Sequence, residues 1–293
     1  MIETVDAPRF RRSDFAAAGK KPGLSAIVRL RNEEDFAAPS LHSILPHFDE
    51  IVIVFGGCTD RTAEIVAEFA KKYPAYVKAF HYVPEVFPQG SSQHARLPPN
   101  SVHSLVHYNN FALSKATYRI CCKWDGDQIA DPDAFGEVVQ RLRTLRRGTI
   151  DWLFSPWKWG YWWCTGLNLW DHDDKLFVPK GRPLAGRAHD LGFFPAGRSI
   201  VFKRYAQAEY LFTRFLVHKY IGCLFFHVKG MKRDRGIGVY QLDQNPDSWY
   251  KQQIERNWAN PQLQSLDELR VKLPEIRRLS NPLSLGIVPI VSR

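Results

Sequence analysis

The first 85 residues alternate between short apolar runs and amphipathic stretches, and this alternation leaves few folds open to the chain. Three apolar runs have the length and composition of buried strands: LSAIVRL (24–30), EIVIVF (50–55) and VKAFHYV (77–83). The stretches between them, residues 36–47 and 61–73, are predicted to be helices. Strands that alternate with helices predict a parallel sheet with helices on its faces, so we expect an α/β fold.

A fourth apolar run continues this pattern and ends in a pair of acids. Residues 106–116 have a helical pattern, and YRICCKW (118–124) is typical of another buried strand that leads into Asp125-Gly126-Asp127. A helix is predicted over residues 131–145, with acids at its start and basic residues at its end, as the helix dipole favours. Ligands of open α/β sheets bind at the carboxyl ends of strands, so the two acids lie where a ligand is expected.

The second half of the chain is rich in tryptophan. Six tryptophans lie between Trp152 and Trp170, and further strands are predicted within residues 197–204 and 223–230. Tryptophan side chains stack on sugar rings and also fill protein cores, so both roles stay open for this cluster.

Composition narrows the class of protein. The chain has 40 Lys and Arg against 30 Asp and Glu, and a net charge of +10 favours anionic partners such as nucleotide phosphates, nucleic acid or an anionic membrane face. Its five cysteines include no CxxC pair, which argues against a disulfide framework or a zinc knuckle. No run approaches the roughly 20 apolar residues that span a bilayer, and no signal peptide is recognised, so we expect a soluble protein.

The acidic motif has the composition of a cation site. A divalent cation that binds a diphosphate needs one or two protein carboxylates, because phosphate oxygens and water fill its other positions. Asp125 and Asp127 flank a glycine at the end of a predicted strand and are therefore candidate metal ligands. The alternative is a surface turn, since Asp-Gly pairs are common in turns.

Two more motifs follow predicted strands at the same edge of the sheet. RNEE (31–34) contains Arg31 and Glu33, and GGCTD (56–60) contains Gly57 and Asp60. Glycines allow a ligand to approach the backbone, and the helix N-terminus that follows favours phosphate. The alternative is two ordinary strand-to-helix turns, since GxGxxG spacing and a Walker lysine are both absent.

The order of these motifs resembles the nucleotide-binding half of family 2 glycosyltransferases, which have the GT-A fold. The resemblance covers roughly residues 24–135 and includes RNEE, GGCTDRT, NNFALSKA and the acidic motif. It implies a Rossmann-like sheet flanked by helices, and inverting transfer from a nucleotide-diphosphate sugar, a UDP-sugar first among the donors, with Mn²⁺ or Mg²⁺. It also implies that Asp127 binds the metal, that Asp125 contacts the ribose, the sugar or the metal, and that Glu33 lies near the nucleotide. Arg31, Gly57 and Asp60 would line the same donor site.

One position departs from the family pattern. Members usually have an acidic residue that contacts the base where this chain has Phe55 or Gly56. Phe55 either stacks on the base or fills the core, and we favour the core. The departure leaves the identity of the nucleotide open.

The resemblance also suggests how the chain is divided. We expect an N-terminal arm over residues 1–21, a GT-A domain over 22–240 and a C-terminal extension over 241–293. Within the domain, residues 22–130 would be the nucleotide-binding half and 131–240 the acceptor half.

Catalytic residues are expected in the acceptor half. An inverting transferase needs a general base near the acceptor hydroxyl. Residues 173–192 are similar to the segment before the His-Glu pair of bacterial lipopolysaccharide-core transferases, which makes Asp190 the candidate base. Three other carboxylates remain alternatives: Asp173, Asp174 and Glu209.

A later histidine completes the predicted site. His227 follows an apolar run and resembles the late metal-binding histidine of many GT-A enzymes, although lone histidines are often structural. Lys229 and Lys232 lie in the basic segment after it and would close over the diphosphate of the donor.

The resemblance places the protein in the cytoplasm, or on the inner face of the membrane, in bacterial surface polysaccharide or lipopolysaccharide synthesis. A glycan or a lipid-linked molecule would be the acceptor, and we expect no nucleic-acid partner. Two alternatives stay open. A nucleotidyltransferase would usually have a Gly-rich basic loop where this chain has RNEE. A non-catalytic protein would bind sugar nucleotides or nucleic acid without turnover.

Overall fold

A computed structural model describes the main chain of most of the first 144 residues and of the strands beyond them. The described residues are 2–16, 18–87, 91–98, 100–144, 160–172, 175–177, 192–195, 202–205, 208–211 and 217–230.

The described residues up to 144 form six strands, five α-helices and a short 3₁₀ helix at Arg12–Phe15. The strands are β1 (Ile2–Val5), β2 (Lys21–Leu30), β3 (Glu50–Phe55), β4 (Val77–Tyr82), β5 (Tyr118–Asp125) and β6 (Gln128–Ala130). The helices are α1 (Ala37–Ile44), α2 (Thr62–Lys72), α3 (Ser92–Arg96), α4 (Leu105–Ser114) and α5 (Pro132–Thr144). The strands and helices predicted for this part are therefore confirmed to within a few residues, whereas β1, β6 and α3 were not predicted.

The later part of the chain contributes six more strands. They are β7 (Gly160–His172), β8 (Lys175–Phe177), β9 (Gly192–Pro195), β10 (Phe202–Tyr205), β11 (Ala208–Leu211) and β12 (Val217–Gly230). Strands β10 and β11 pair only with each other among the described residues.

All other strands join one sheet in the order β1-β4-β3-β2-β5-β9-β7-β12-β6, with β8 paired to β7. The first five strands in this order, β1, β4, β3, β2 and β5, are parallel to one another. Strand β9 is antiparallel to both β5 and β7, and β12 runs parallel to β7 and antiparallel to β6. This mixed, mostly parallel sheet with helices on its faces confirms the predicted α/β fold.

The N-terminal segment requires a correction. Residues 1–21 were predicted to be an arm, but β1 pairs with β4 along its whole length. Phe15 is buried, and its ring meets that of Phe10 edge-on. Part of this segment therefore belongs to the sheet and its core.

The core lies on both faces of the sheet because successive strand residues point to opposite sides. On one face, Ala26, Val28 and Leu30 of β2 join a cluster with residues of α1, α2 and α5. On the other face, Ile27 joins a cluster with residues of α4. No helix of the described part of the chain is long and apolar enough to cross a membrane.

A buried carboxylate ties the strands together at the end of the sheet opposite the acidic motif. Glu50, at the start of β3, accepts hydrogen bonds from the Ser25 hydroxyl (2.7 Å) and from the backbone N–H and hydroxyl of Thr117 (2.8 and 2.9 Å). It also forms an ion pair with Lys78 of β4. Strands β2, β3 and β4 and the residue before β5 are thus linked through one side chain, which helps to fix their relative positions.

Candidate active site

Three of the predicted motifs meet at one edge of the sheet. In the parallel ladder Leu30 of β2 is the partner of Phe55 of β3, and Arg29 is the partner of Asp125 of β5. The strands therefore end at the same level, and the RNEE, GGCTD and acidic motifs follow them directly. The prediction that these motifs share one edge is confirmed.

Hydrogen bonds join the first two motifs to each other. The Asn32 carboxamide oxygen accepts from the backbone N–H of Thr59 (2.8 Å), and Asp60 accepts from the backbone N–H of Glu34 (3.0 Å). The other oxygen of Asp60 accepts from the backbone N–H of Thr62 (3.0 Å), in the first turn of α2. Asn32 has a φ of 52°, a conformation that asparagine tolerates better than most residues. The Asp60 carboxylate therefore links the two loops to each other and to the first residue of α2.

Arg31 and Gly57, both predicted to line the donor site, lie side by side. Gly57 has a φ of 61°, which favours glycine, and a Cβ placed on it would be 3.6 Å from Nε of Arg31. The Arg31 guanidinium also donates to the carbonyl of Val86, beyond the end of β4 (2.9 Å). A cationic side chain is thus held across the exposed backbone at Gly57, where an anionic ligand can reach it.

Glu33 packs against the acidic motif. A Cβ placed on Gly126 would lie 2.5 Å from Leu30 Cδ2 and 2.9 Å from Glu33 Cγ, so only glycine fits the present arrangement. The RNEE loop therefore lies directly on the turn between Asp125 and Asp127.

The structure adds two cations that the sequence analysis missed. Arg29 Nη2 lies 2.7 Å from Asp125 Oδ1, and Lys123 Nζ lies 2.9 Å from Asp125 Oδ2. Burial favours a raised pKa for Asp125, but the two cations outweigh it and hold that pKa below its usual value. The sequence could have indicated these two cations, because Arg29 and Lys123 are charged residues near the ends of two largely apolar strands.

The predicted metal ligands Asp127 and His227 come together from distant parts of the chain. His227 of β12 is opposite Gln128 of β6 in an antiparallel ladder, and its Nε2 lies 3.5 Å from Oδ2 of Asp127. The Asp127 side chain is largely buried, with 9% exposed, whereas that of His227 is 29% exposed.

This pair fits a divalent cation. Two ligand atoms that each bind one cation at about 2.1 Å are about 3 to 3.5 Å apart, close to the separation found here. Within the described part of the chain, no group of three or more His, Cys, Asp or Glu side chains is arranged to hold a metal ion. Asp127 and His227 therefore suit a cation that receives its other ligands from a diphosphate and water.

Phe55 belongs to the core, as favoured from the sequence. Its side chain is 3% exposed, and its ring stacks on that of His81, its partner in β4, with 5.3 Å between centroids.

Several predicted residues lie outside the described part of the structure. They are Asp190, Lys232, and the alternative bases Asp173 and Asp174. Others are described only in their main chain: Lys229 in β12, Glu209 in β11, and the three tryptophans of β7.

A family model matches the first part of the chain. Residues 14–135 match a family model described as β-1,4-N-acetylgalactosaminyltransferase (CgtA). This match covers less than half of the chain but includes the three motifs at the edge of the sheet. A search of curated proteins finds no match.

Solved structures show distant similarity. Residues 1–349 of TarS from S. aureus are 13% identical, with a TM-score of 0.43, over 90% of this chain and 75% of that one. The mannosyltransferase PcManGT from Pyrobaculum calidifontis, in complex with GDP-Man and Mn²⁺, is 16% identical, with a TM-score of 0.35, over 59% and 45% of the two chains. Glucosyl-3-phosphoglycerate synthase from Mycobacterium tuberculosis, with Mg²⁺ and UDP, is 21% identical, with a TM-score of 0.29, over 48% and 47%.

The sheet, the order of the motifs along its edge and the matching family model lead to one conclusion. The described strands form a mostly parallel α/β sheet, and residues 14–135 are similar to the family described as β-1,4-N-acetylgalactosaminyltransferase (CgtA).

Proposed function

We propose that the protein transfers a sugar from a UDP-linked donor to a hydroxyl group of a glycan or lipid-linked acceptor, with the help of Mn²⁺ or Mg²⁺. The observation that carries the proposal is the meeting of Asp127 and His227 beside the RNEE and GGCTD loops. The matching family model is described as an N-acetylgalactosaminyltransferase, so UDP-N-acetylhexosamines are the first donors to test.

The residues at this edge have distinct tasks in the proposed reaction. Arg31 places a positive charge over the backbone at Gly57, where the nucleotide diphosphate would lie. Asp127 and His227 would hold the cation, which supplies charge stabilisation for the departing diphosphate. Lys229 and Lys232 would cover the diphosphate from the segment at the end of β12.

Transfer with inversion follows from the family resemblance. The acceptor oxygen forms a bond to the anomeric carbon as the bond from that carbon to the diphosphate breaks, and Asp190 takes the proton of the hydroxyl. We also propose that the protein works in the cytoplasm, at the inner face of the membrane. There it would take part in the synthesis of a surface polysaccharide or lipopolysaccharide. The net charge of +10 would favour contact with an anionic membrane.

Thermal unfolding with a panel of nucleotide sugars tests donor and metal together. UDP-GalNAc, UDP-GlcNAc, UDP-Glc, GDP-Man and a CMP-sugar are each added with Mn²⁺ or with EDTA. A ligand at 100 times its Kd should stabilise the protein by about 2.7 kcal/mol. We expect UDP-sugars to stabilise the wild type only with Mn²⁺, and Asp127→Asn to abolish the effect.

A matched control is Glu137→Gln, which removes an exposed carboxylate that pairs with Arg141 on α5. It should respond to UDP-sugars as the wild type does. If no nucleotide sugar stabilises the wild type in the presence of Mn²⁺, the proposed function is wrong.

Asp190 requires its own test. Asp190→Asn should lose transfer while it keeps the Mn²⁺-dependent stabilisation by the donor, because a general base acts on the acceptor. Anomeric configuration in the product, read by NMR, tests inversion. Retained transfer in Asp190→Asn would exclude Asp190 as the base.

A further inference from the structure

A loop leaves β4 at the edge of the sheet that carries the three motifs, and it closes on itself. The backbone N–H of Phe87 donates to the carbonyl of His103 (3.1 Å), and Nδ1 of His103 donates to the carbonyl of Glu85 (2.7 Å). The rings of Phe87 and His103 also stack, with 5.7 Å between their centroids and 25° between their planes. Residues 85–87 and 102–103, here called the loop neck, are therefore held side by side.

His103 holds the loop neck through its side chain in two ways. A carbonyl oxygen only accepts hydrogen bonds, so Nδ1 of His103 carries the hydrogen that the Glu85 carbonyl receives. The ring supplies the stacking contact with Phe87. Loss of this ring would remove both contacts and leave only the backbone hydrogen bond between Phe87 and residue 103.

The loop neck is attached to the core on one side. Tyr82, the last residue of β4, is fully buried, and its hydroxyl donates to the carbonyl of Val102 (2.6 Å). The same hydroxyl lies 3.0 Å from Nδ1 of His107 in α4. Because Val102 directly precedes His103, the sheet and α4 together set the position of His103.

On its other side the loop neck contacts the proposed donor site. The carbonyl of Val86, between the two residues that His103 contacts, accepts from Nη1 of Arg31 (2.9 Å). Nε and Cζ of Arg31 lie 3.6 and 3.8 Å from the position of a Cβ on Gly57. Arg31 is exposed, and an exposed arginine side chain can adopt many rotamers. The Val86 carbonyl therefore favours the conformation in which the guanidinium lies over Gly57.

We propose that His103 is a positioning residue for donor binding. By holding the loop neck, it keeps the Val86 carbonyl in place to direct the Arg31 guanidinium over Gly57. The inference rests on the proposed function for the ligand, a nucleotide diphosphate, whose negative charge this guanidinium meets. His103 acts through Arg31, because a cation that is already in place loses less side-chain entropy when the ligand binds.

Calorimetry with UDP and Mn²⁺ tests this role. His103→Ala should weaken UDP binding about tenfold, because Arg31 loses the fixed carbonyl that directs it. His103→Asn should bind UDP within about threefold of the wild type, because its side-chain N–H can donate to Glu85 in place of Nδ1. His103→Phe keeps a ring beside Phe87 but has no donor, so it should bind UDP as weakly as His103→Ala. Wild-type affinity in His103→Ala or in His103→Phe would overturn the inference.

A double-mutant cycle with Arg31→Gln shows whether His103 acts through the arginine. In that background His103→Ala should change the UDP affinity by less than about twofold, because the side chain that it positions is already missing. A general disturbance of the structure would lower the affinity in both backgrounds. A further loss of about tenfold in the double variant would therefore also overturn the inference.

The matched control is His42→Ala on α1. Nδ1 of His42 also contacts a backbone carbonyl, that of Ala38 (2.8 Å), and its ring meets those of Phe69 and Tyr73 near the end of α2. This variant loses the same kinds of contact as His103→Ala, but at the end of α2 that lies away from the three motifs. It should keep the UDP affinity of the wild type.

The wild type separates the two proposals. If it does not bind UDP in the presence of Mn²⁺, the proposed function fails. If it binds UDP, and Arg31→Gln lowers the affinity but His103→Ala does not, only the present inference fails.

Discussion

At the scale of single residues, the acidic turn depends on the space left by its glycine. Gly126 has no Cβ, and the side chains of Leu30 and Glu33 occupy the position where one would be. Leu30 is fully within the core, so it has little room to move. The close contact between the RNEE loop and the acidic turn therefore requires glycine at this position.

Gly126→Ala should displace the turn and weaken Mn²⁺-dependent binding of UDP. The added methyl group would lie 2.5 Å from Leu30 Cδ2, and such overpacking typically costs about 1 to 3 kcal/mol. Urea unfolding measures the loss of stability, and calorimetry with UDP and Mn²⁺ measures binding.

Gly136→Ala provides the control. Gly136 is inside α5, and a Cβ there would be 3.4 Å from the nearest atom, His47 Cε1. Alanine is favoured over glycine in a helix by about 1 kcal/mol, so this variant should be as stable as the wild type or more stable. Normal binding by Gly126→Ala would contradict the requirement for glycine.

The buried Glu50 makes stability depend on pH. Burial tends to raise the pKa of Glu50, but hydrogen bonds from Lys78, Thr117 and Ser25 outweigh it, so the pKa lies below its ordinary value of 4.5. A lowered pKa stabilises the folded state above that ordinary value, and the contribution disappears as the pH falls through the folded pKa.

Glu50→Gln should therefore lower the free energy of unfolding by about 2 kcal/mol at pH 7 and by clearly less near pH 3. Urea midpoints at the two pH values measure this difference. The exposed Glu137→Gln should change stability by less than about 0.5 kcal/mol at pH 7. If the wild type and Glu50→Gln differ by the same free energy of unfolding at pH 3 and pH 7, the charge of Glu50 contributes nothing to stability.

At the scale of elements, the first two loops form one unit. Asp60 accepts from backbone N–H groups of both the RNEE loop and α2, and Glu34 in turn accepts from the backbone N–H of Arg61 (3.1 Å). The loops are thus joined in both directions, so a change in one alters the surface presented by the other.

Asp60→Ala should separate the loops. We expect a loss of about 1 kcal/mol in stability, as is typical when a side-chain hydrogen bond is removed, together with weaker binding of UDP. Asp60→Asn keeps an acceptor oxygen and should therefore retain most of the stability and most of the UDP affinity of the wild type. Urea unfolding measures the stability and calorimetry measures UDP binding. Full UDP affinity in Asp60→Ala would show that the hydrogen bonds of Asp60 do not affect the donor site.

The strands around the site were predictable, whereas their partners across the sheet were not. EIVIVF gives β3 because a continuous apolar run is buried on both faces, and the motifs after β2, β3 and β5 share an edge because parallel strands end together. Strand β6 has only three residues, and nothing local in them indicates pairing with β12. The roles of Arg29 and Lys123 depend on ladder register, which a single sequence does not specify.

The His227 prediction came from the family resemblance and not from local pattern. A lone histidine in a strand is equally typical of a structural residue, and only the pairing of β12 with β6 brings it to Asp127. Similarly, the polar composition of residues 1–21 concealed β1, because a short edge strand needs few apolar side chains.

At the scale of the whole molecule, the predicted division into two halves cuts through one sheet. Strand β9 of the second half pairs with β5, where Cys121 and Cys122 are buried on opposite faces. Phe193 and Phe194 of β9 extend the two core clusters. The described parts of the two halves therefore share their core.

A chain that ends at residue 144 should not fold into a stable monomer. It would expose the edge of β5 and the apolar side chains that β9 covers, and exposed strand edges promote aggregation. Size-exclusion chromatography should show aggregates for this fragment and a defined species for the full chain. A soluble, cooperatively unfolding fragment would show that the first half is an independent domain.

The pairing of β6 with β12 has a consequence for the synthesis of the protein. Asp127 and His227 are 100 residues apart, so the acidic turn leaves the ribosome long before its histidine is made. Every product that stops before β12 carries the acidic turn but lacks the histidine. Only a chain translated through β12 can bring the two side chains together.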